Sequence, residues 1–61
     1  MKKEFQIIAE LIKNNTRVLD VGCGDGILMK HLKDNKNVDT RGLEISKNNV
    51  QICISKGLPV I

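Results

Sequence analysis

Aromatic residues are nearly missing from this chain: Phe5 stands alone among 61 residues, with no tyrosine and no tryptophan. Proteins that grip single-stranded nucleic acid interleave basic side chains with stacking rings. The ten lysines and arginines therefore read as solvated helix faces, and a net charge of +3 is too mild to argue otherwise. Long apolar runs are also missing. A helix that crosses a bilayer needs ~20 consecutive apolar residues, and no stretch approaches that. The opening Met1-Lys2-Lys3 looks like the start of a secretory leader, but Glu4, Gln6 and Glu10 interrupt the apolar segment that should follow. These gaps predict a cytoplasmic protein with neither a membrane nor a nucleic-acid partner.

Cysteine is scarce. Cys23, His31 and Cys53 are too scattered to match zinc-ligand spacing, so no metal is expected. Nothing points to an oxidising compartment, and the two cysteines read as reduced, mostly buried thiols. A chain of this length buries only ~60% of the surface its unfolded form exposes, which leaves a thin stability margin.

What is present is an alternation. Residues 3–13 carry Phe5, Ile8, Ala9 and Ile12 at helical spacing, with Ile7 and Leu11 widening the apolar stripe and Asn14-Asn15 closing the helix. Thr16 to Val21 is a short run of strand formers, read as a strand covered on both faces. A glycine-rich turn, Gly22 to Gly26, leads into helical spacing from Ile27 to Lys33. A polar connection, Asp34 to Asn37, precedes a second strand from Val38 to Ile45, in which Gly42 marks a close backbone approach. Ser46 suits the N-cap of a third helix, and Gly57 sits where a helix-ending glycine belongs. Leu58-Pro59-Val60-Ile61 begins a third apolar run. This order predicts an α/β fold, a partial Rossmann-like parallel sheet of three strands joined by crossover helices. Residues 1–61 form one unit, expected to be the N-terminal portion of a larger domain. In the usual strand order of such sheets the first strand lies mid-sheet, so an unpaired edge is expected here, with self-association through it.

The chemistry concentrates in Asp20-Val21-Gly22-Cys23-Gly24-Asp25-Gly26 and in Glu44 at the end of the next strand. Glycines let the backbone turn sharply and let a ligand lie against it without a Cβ in the way. Parallel α/β sheets bind ligands at the carboxyl ends of their strands, where this loop lies. Glu44 follows Gly26 by eighteen residues, about the spacing of an acid that binds ribose. An ionised carboxylate only accepts hydrogen bonds, so it can take both hydroxyls of a cis-diol. No Gly-Lys-Ser or Gly-Lys-Thr follows the glycines, which excludes a P-loop. The third glycine of a dinucleotide fingerprint would fall at position 27, which is Ile27. Asp20 is the second discriminator: a carboxylate is unwelcome beside a pyrophosphate but suits a ligand bearing an ammonium and a sulfonium. S-adenosylmethionine carries both, and is the expected cofactor. A nicotinamide-dependent dehydrogenase is the weaker alternative.

Val18 to Gly26 resembles motif I of class I S-adenosylmethionine-dependent methyltransferases, and Gly42-Leu43-Glu44-Ile45 resembles their second motif. More narrowly, Arg17 to Asp20, Gly22 to Gly26, Gly42 to Ile45 and Lys56 to Ile61 are similar to the start of the MetW family of methionine biosynthesis. The resemblance implies that Gly22, Gly24 and Gly26 line the methionine part of the cofactor, with Asp20 beside its amino group. It implies that Glu44 holds the ribose and Ile45 packs on the adenine. Such families place substrate and catalytic residues beyond their fourth strand, so residues 1–61 alone are expected not to turn over. The resemblance also implies a partner, homoserine acyltransferase, which leaves open a non-enzymatic role as that enzyme's partner or activator.

Overall fold

A computed structural model describes all of residues 1–61, and it shows three helices and two parallel strands in strict alternation. Helix α1 spans Lys3–Leu11, strand β1 Arg17–Val21, helix α2 Ile27–Lys36, strand β2 Asp39–Leu43 and helix α3 Lys47–Ser55. The α/β class is as expected. The third strand is reduced to a single parallel bridge, Gly42 to Val60. Three hydrogen bonds secure it: Gly42 N–H to the Pro59 carbonyl at 3.0 Å, Ile61 N–H to the Gly42 carbonyl at 3.0 Å and Glu44 N–H to the Ile61 carbonyl at 3.1 Å. Proline cannot donate to a ladder, so Pro59 takes part through its carbonyl alone.

β1 and β2 pair in register, Arg17 with Asp39 through Val21 with Leu43. Successive side chains point to opposite faces, and the two faces differ. Val18, Asp20, Thr40 and Gly42 lie on the covered side, where α2 packs. Arg17, Leu19, Val21, Asp39, Arg41 and Leu43 lie on a bare side, with Leu19 60% and Val21 73% exposed. The expectation that β1 is covered on both faces is therefore corrected.

The core has two centres. Ala9, Leu28, Leu32 and Val38 form one, with Phe5, Ile12 and Val18 packed around them. Cys23, Met29, Cys53 and Leu58 form the other, flanked by Val60. The buried stripe of α1 is narrower than its sequence suggests, because Ile7, Ile8 and Leu11 remain exposed. A single helix, α2, meets α1, so only one line of side chains finds a partner.

Helix ends follow local chemistry. α1 stops at Leu11, and it is Asn15, at φ 63°, that turns the chain toward β1. α2 runs three residues past its expected end, to Lys36. The Lys30–Asp34 pair at 2.6 Å supports its last turns, as does the Asn35 amide donating to the His31 carbonyl at 3.0 Å. Asn37, at φ 53°, then ends it. The Ser46 hydroxyl accepts from Asn49 N–H at 3.3 Å, the cap read from sequence.

Candidate functional site

The glycine loop follows β1 directly and is stitched to the end of β2. Gly22 N–H and Cys23 N–H both donate to the Leu43 carbonyl, at 2.7 and 3.1 Å. These bonds bring residue 44 over the loop. The Glu44 carboxylate uses both oxygens: Oε1 accepts from Gly24 N–H at 2.7 Å and Oε2 from Ser46 N–H at 2.9 Å. The Ser46 amide, and then the Gly24 amide, hold the carboxyl below the usual range, with Asn49 adding a side-chain contribution. Hydrogen bonding to the charged form favours it, so Glu44 is an anion poised at the strand ends. A carboxylate has about four acceptor sites, and the two amides leave capacity for a further donor pair.

Gly22, Gly24 and Gly26 all take positive φ, at 72°, 61° and 84°. Their surroundings differ. A Cβ on Gly22 or Gly24 would meet nothing within 4 Å, so both present bare backbone on the open side of the loop. A Cβ on Gly26 would lie 2.6 Å from Leu58 Cδ1 and 3.0 Å from Cys53 Sγ. Gly26 thus faces the second core centre on the side where a Cβ would stand.

Asp20 is half-buried on the covered face, next to Gly42 in register. Burial alone pushes its carboxyl above the usual range, with no hydrogen bond or cation to offset it. Asp25 caps the end of the loop, accepting from Ile27 N–H at 3.3 Å. Ile45 is 99% exposed. With Val21, Gly22, Leu43, Glu44 and Ile61 it lines an open crevice of about 420 Å³ at the carboxyl end of the sheet. Another depression, lined by Gln6, Ala9, Glu10, His31 and Lys36, lies beside α1 and α2, away from the strand ends.

Sequence reasoning missed two residues that hold the loop from α3 and the turn after it. Cys53 Sγ donates to the Gly24 carbonyl at 3.3 Å, and Lys56 Nζ donates to the Asp25 carbonyl at 2.9 Å. Lys56 was indistinguishable from the other surface lysines, because only the fold brings it within reach of position 25.

The arrangement can present an ordered anion, two bare glycine backbones and an apolar ledge to one ligand. No curated protein matches the chain. A family model described as Methionine biosynthesis protein MetW matches residues 2–61.

Proposed function

Because that match spans almost every residue, the chain belongs to the MetW family and is tied to methionine biosynthesis, and from this premise we propose that the strand-end crevice binds S-adenosylmethionine. In this reading the two-stranded unit is part of a Rossmann-like methyltransferase fold. The observation that carries the proposal is the Glu44 carboxylate lying over the glycine loop, 2.7 Å from Gly24 N–H. A ribose diol entering the crevice would donate to the free acceptor sites of Glu44. Adenine would rest on the exposed Ile45 side chain. The methionine part would run along Gly22 and Gly24. Asp20, half-buried and without a cationic partner, would face the amino group. Gly26 supports the loop from behind.

The residues fit the cofactor, which would supply an electrophilic methyl group on its sulfonium. The chain's own contribution is orientation. Two carboxylates of unlike environment, one ordered by amides and one desolvated, select a ligand that is cationic at one end and a diol at the other. The same arrangement disfavours a pyrophosphate, and with it a nicotinamide dinucleotide.

Calorimetry of the intact protein with S-adenosylhomocysteine and with NAD tests the reading. Binding of the first alone is expected, and Glu44→Ala should weaken it by roughly tenfold or more, the scale of a hydrogen bond to a charged group. Affinity unchanged by Glu44→Ala would remove this carboxylate from the site.

The bare sheet face favours a second reading, in which the protein works in the cytoplasm by docking on a partner such as homoserine acyltransferase. Leu19, Val21 and Leu43 present apolar surface beside the unpaired edge of β1, a surface that also suits self-association. Co-purification with the acyltransferase, with and without cofactor, separates this role from methyl transfer.

A further inference from the structure

Beneath the glycine loop lies a group of side chains that the cofactor reading does not use. Gly42 has no Cβ, and the room this leaves on the covered face of the sheet is filled by sulfur. A Cβ at Gly42 would lie 2.7 Å from Cys23 Sγ and 2.9 Å from Met29 Sδ. The third sulfur arrives from α3: Cys53 Sγ lies 3.3 Å from the Gly24 carbonyl, and Cys23 Sγ lies 3.8 Å from the same oxygen. Both cysteines are free, and Cys23, Met29 and Cys53 are 8%, 0% and 0% exposed. The residues come from a loop and two helices and are thirty positions apart at the extremes.

We propose that Cys23, Met29 and Cys53 form a binding site for a soft monovalent metal ion, Cu(I), beneath the glycine loop. Two thiolates and a thioether are a soft donor set, of the kind that selects Cu(I) over hard cations. A structural zinc site would want four nitrogen or sulfur ligands in a tetrahedron. No group of three histidines, cysteines or acids converges anywhere in the chain to supply it. A low-coordinate ion needs only the three sulfurs at hand. Binding replaces two S–H bonds with two Cu–S bonds, the two protons leave to water, and no electron is transferred. In the metal-free protein the Cys23 thiol keeps its proton. Burial, together with the neighbouring Cys53 and the carboxylates of Asp20 and Glu44, pushes Cys23 up to about 11.

Anaerobic titration of the reduced protein against Cu(I) held by a chromophoric chelator tests the site, independently of any cofactor. One ion per chain should leave the chelator, and X-ray absorption should show sulfur alone around the copper. Cys53→Ser and Cys23→Ser should each abolish the transfer. Met29→Leu conserves volume and fold, and should weaken binding by about ten- to a hundredfold, the scale of losing a supporting group at a metal. Failure of the protein to take Cu(I) from the chelator would overturn the proposal. So would binding that survives Cys53→Ser, affinity unmoved by Met29→Leu, or nitrogen and oxygen neighbours in the absorption spectrum.

Discussion

The two faces of one small sheet are built from the same short strands yet live in different solvents. On the covered face Thr40 is 2% exposed and Val18 packs into the first core centre, beneath α2 and beside α1. On the other face, one residue away along each strand, Leu19 is 60% exposed and Arg17 pairs with Asp39 at 3.6 Å in open solvent. Hydrophobicity does not separate the faces, since Leu19, Val21 and Leu43 are as apolar as what is buried. What separates them is whether a helix lies across. α1 repeats the lesson: Phe5 and Ala9 meet a neighbour, whereas Leu11, at 79% exposure, does not. An apolar residue contributes to this fold only where the chain supplies a partner surface.

The sharpest way to break the comparison is to make the same change on both sides. Leu32→Ala, at a fully buried α2 position, should cost about 2–5 kcal/mol in chemical denaturation. Leu19→Ala on the bare face should change stability by about 0.5 kcal/mol or less. A Leu19→Ala cost that grows with protein concentration would mean that a second copy covers this face in solution. Next in size is Gly42→Ala. Its new methyl would meet Cys23 Sγ and two Met29 atoms at 2.7–2.9 Å, so a loss of about 1–3 kcal/mol is expected from overpacking. Indifference to that change would mean the sulfur side chains are not held where they are described.

Thr40→Val should act in the other direction. The Thr40 hydroxyl is buried with no hydrogen-bond partner. Removing it should be neutral or stabilise by up to about 1 kcal/mol, whereas a clear loss of stability would expose a partner for it. A separate effect concerns pH. A thiol moved from 9.0 toward about 11 by folding keeps its proton in the native state after the unfolded chain has lost its own. Its contribution is whole below the unfolded value and is lost as pH rises through the interval between the two. Stability should therefore sag across that interval, and Cys23→Ala should flatten the sag in urea midpoints measured from pH 8 to pH 11.

Much of the fold was legible because its signals are local. A strand cut by glycine, a serine three residues before the amide it caps and an asparagine able to take positive φ each depend on a few neighbours. Glu44 was found in the same way, since strand length and crossover length bring the end of β2 beside the end of β1. The limits of the elements were less legible. α2 continued through Asp34, because a lysine four residues earlier repaid the polar sequence with an ion pair. β2 stopped at Leu43, where Glu44 turns its side chain to the loop amides.

By itself, then, the sequence determined the order of helices and strands, the glycine loop and its facing acid. It did so because backbone preferences and side-chain spacing act over short stretches of chain. Only the tertiary structure decided which apolar residues are buried, that Gly26 faces the core, and that Cys23, Met29 and Cys53 meet in the second core centre. Those outcomes depend on which surfaces come into contact, and residues thirty positions apart carry no mark of their meeting until the chain has closed on itself.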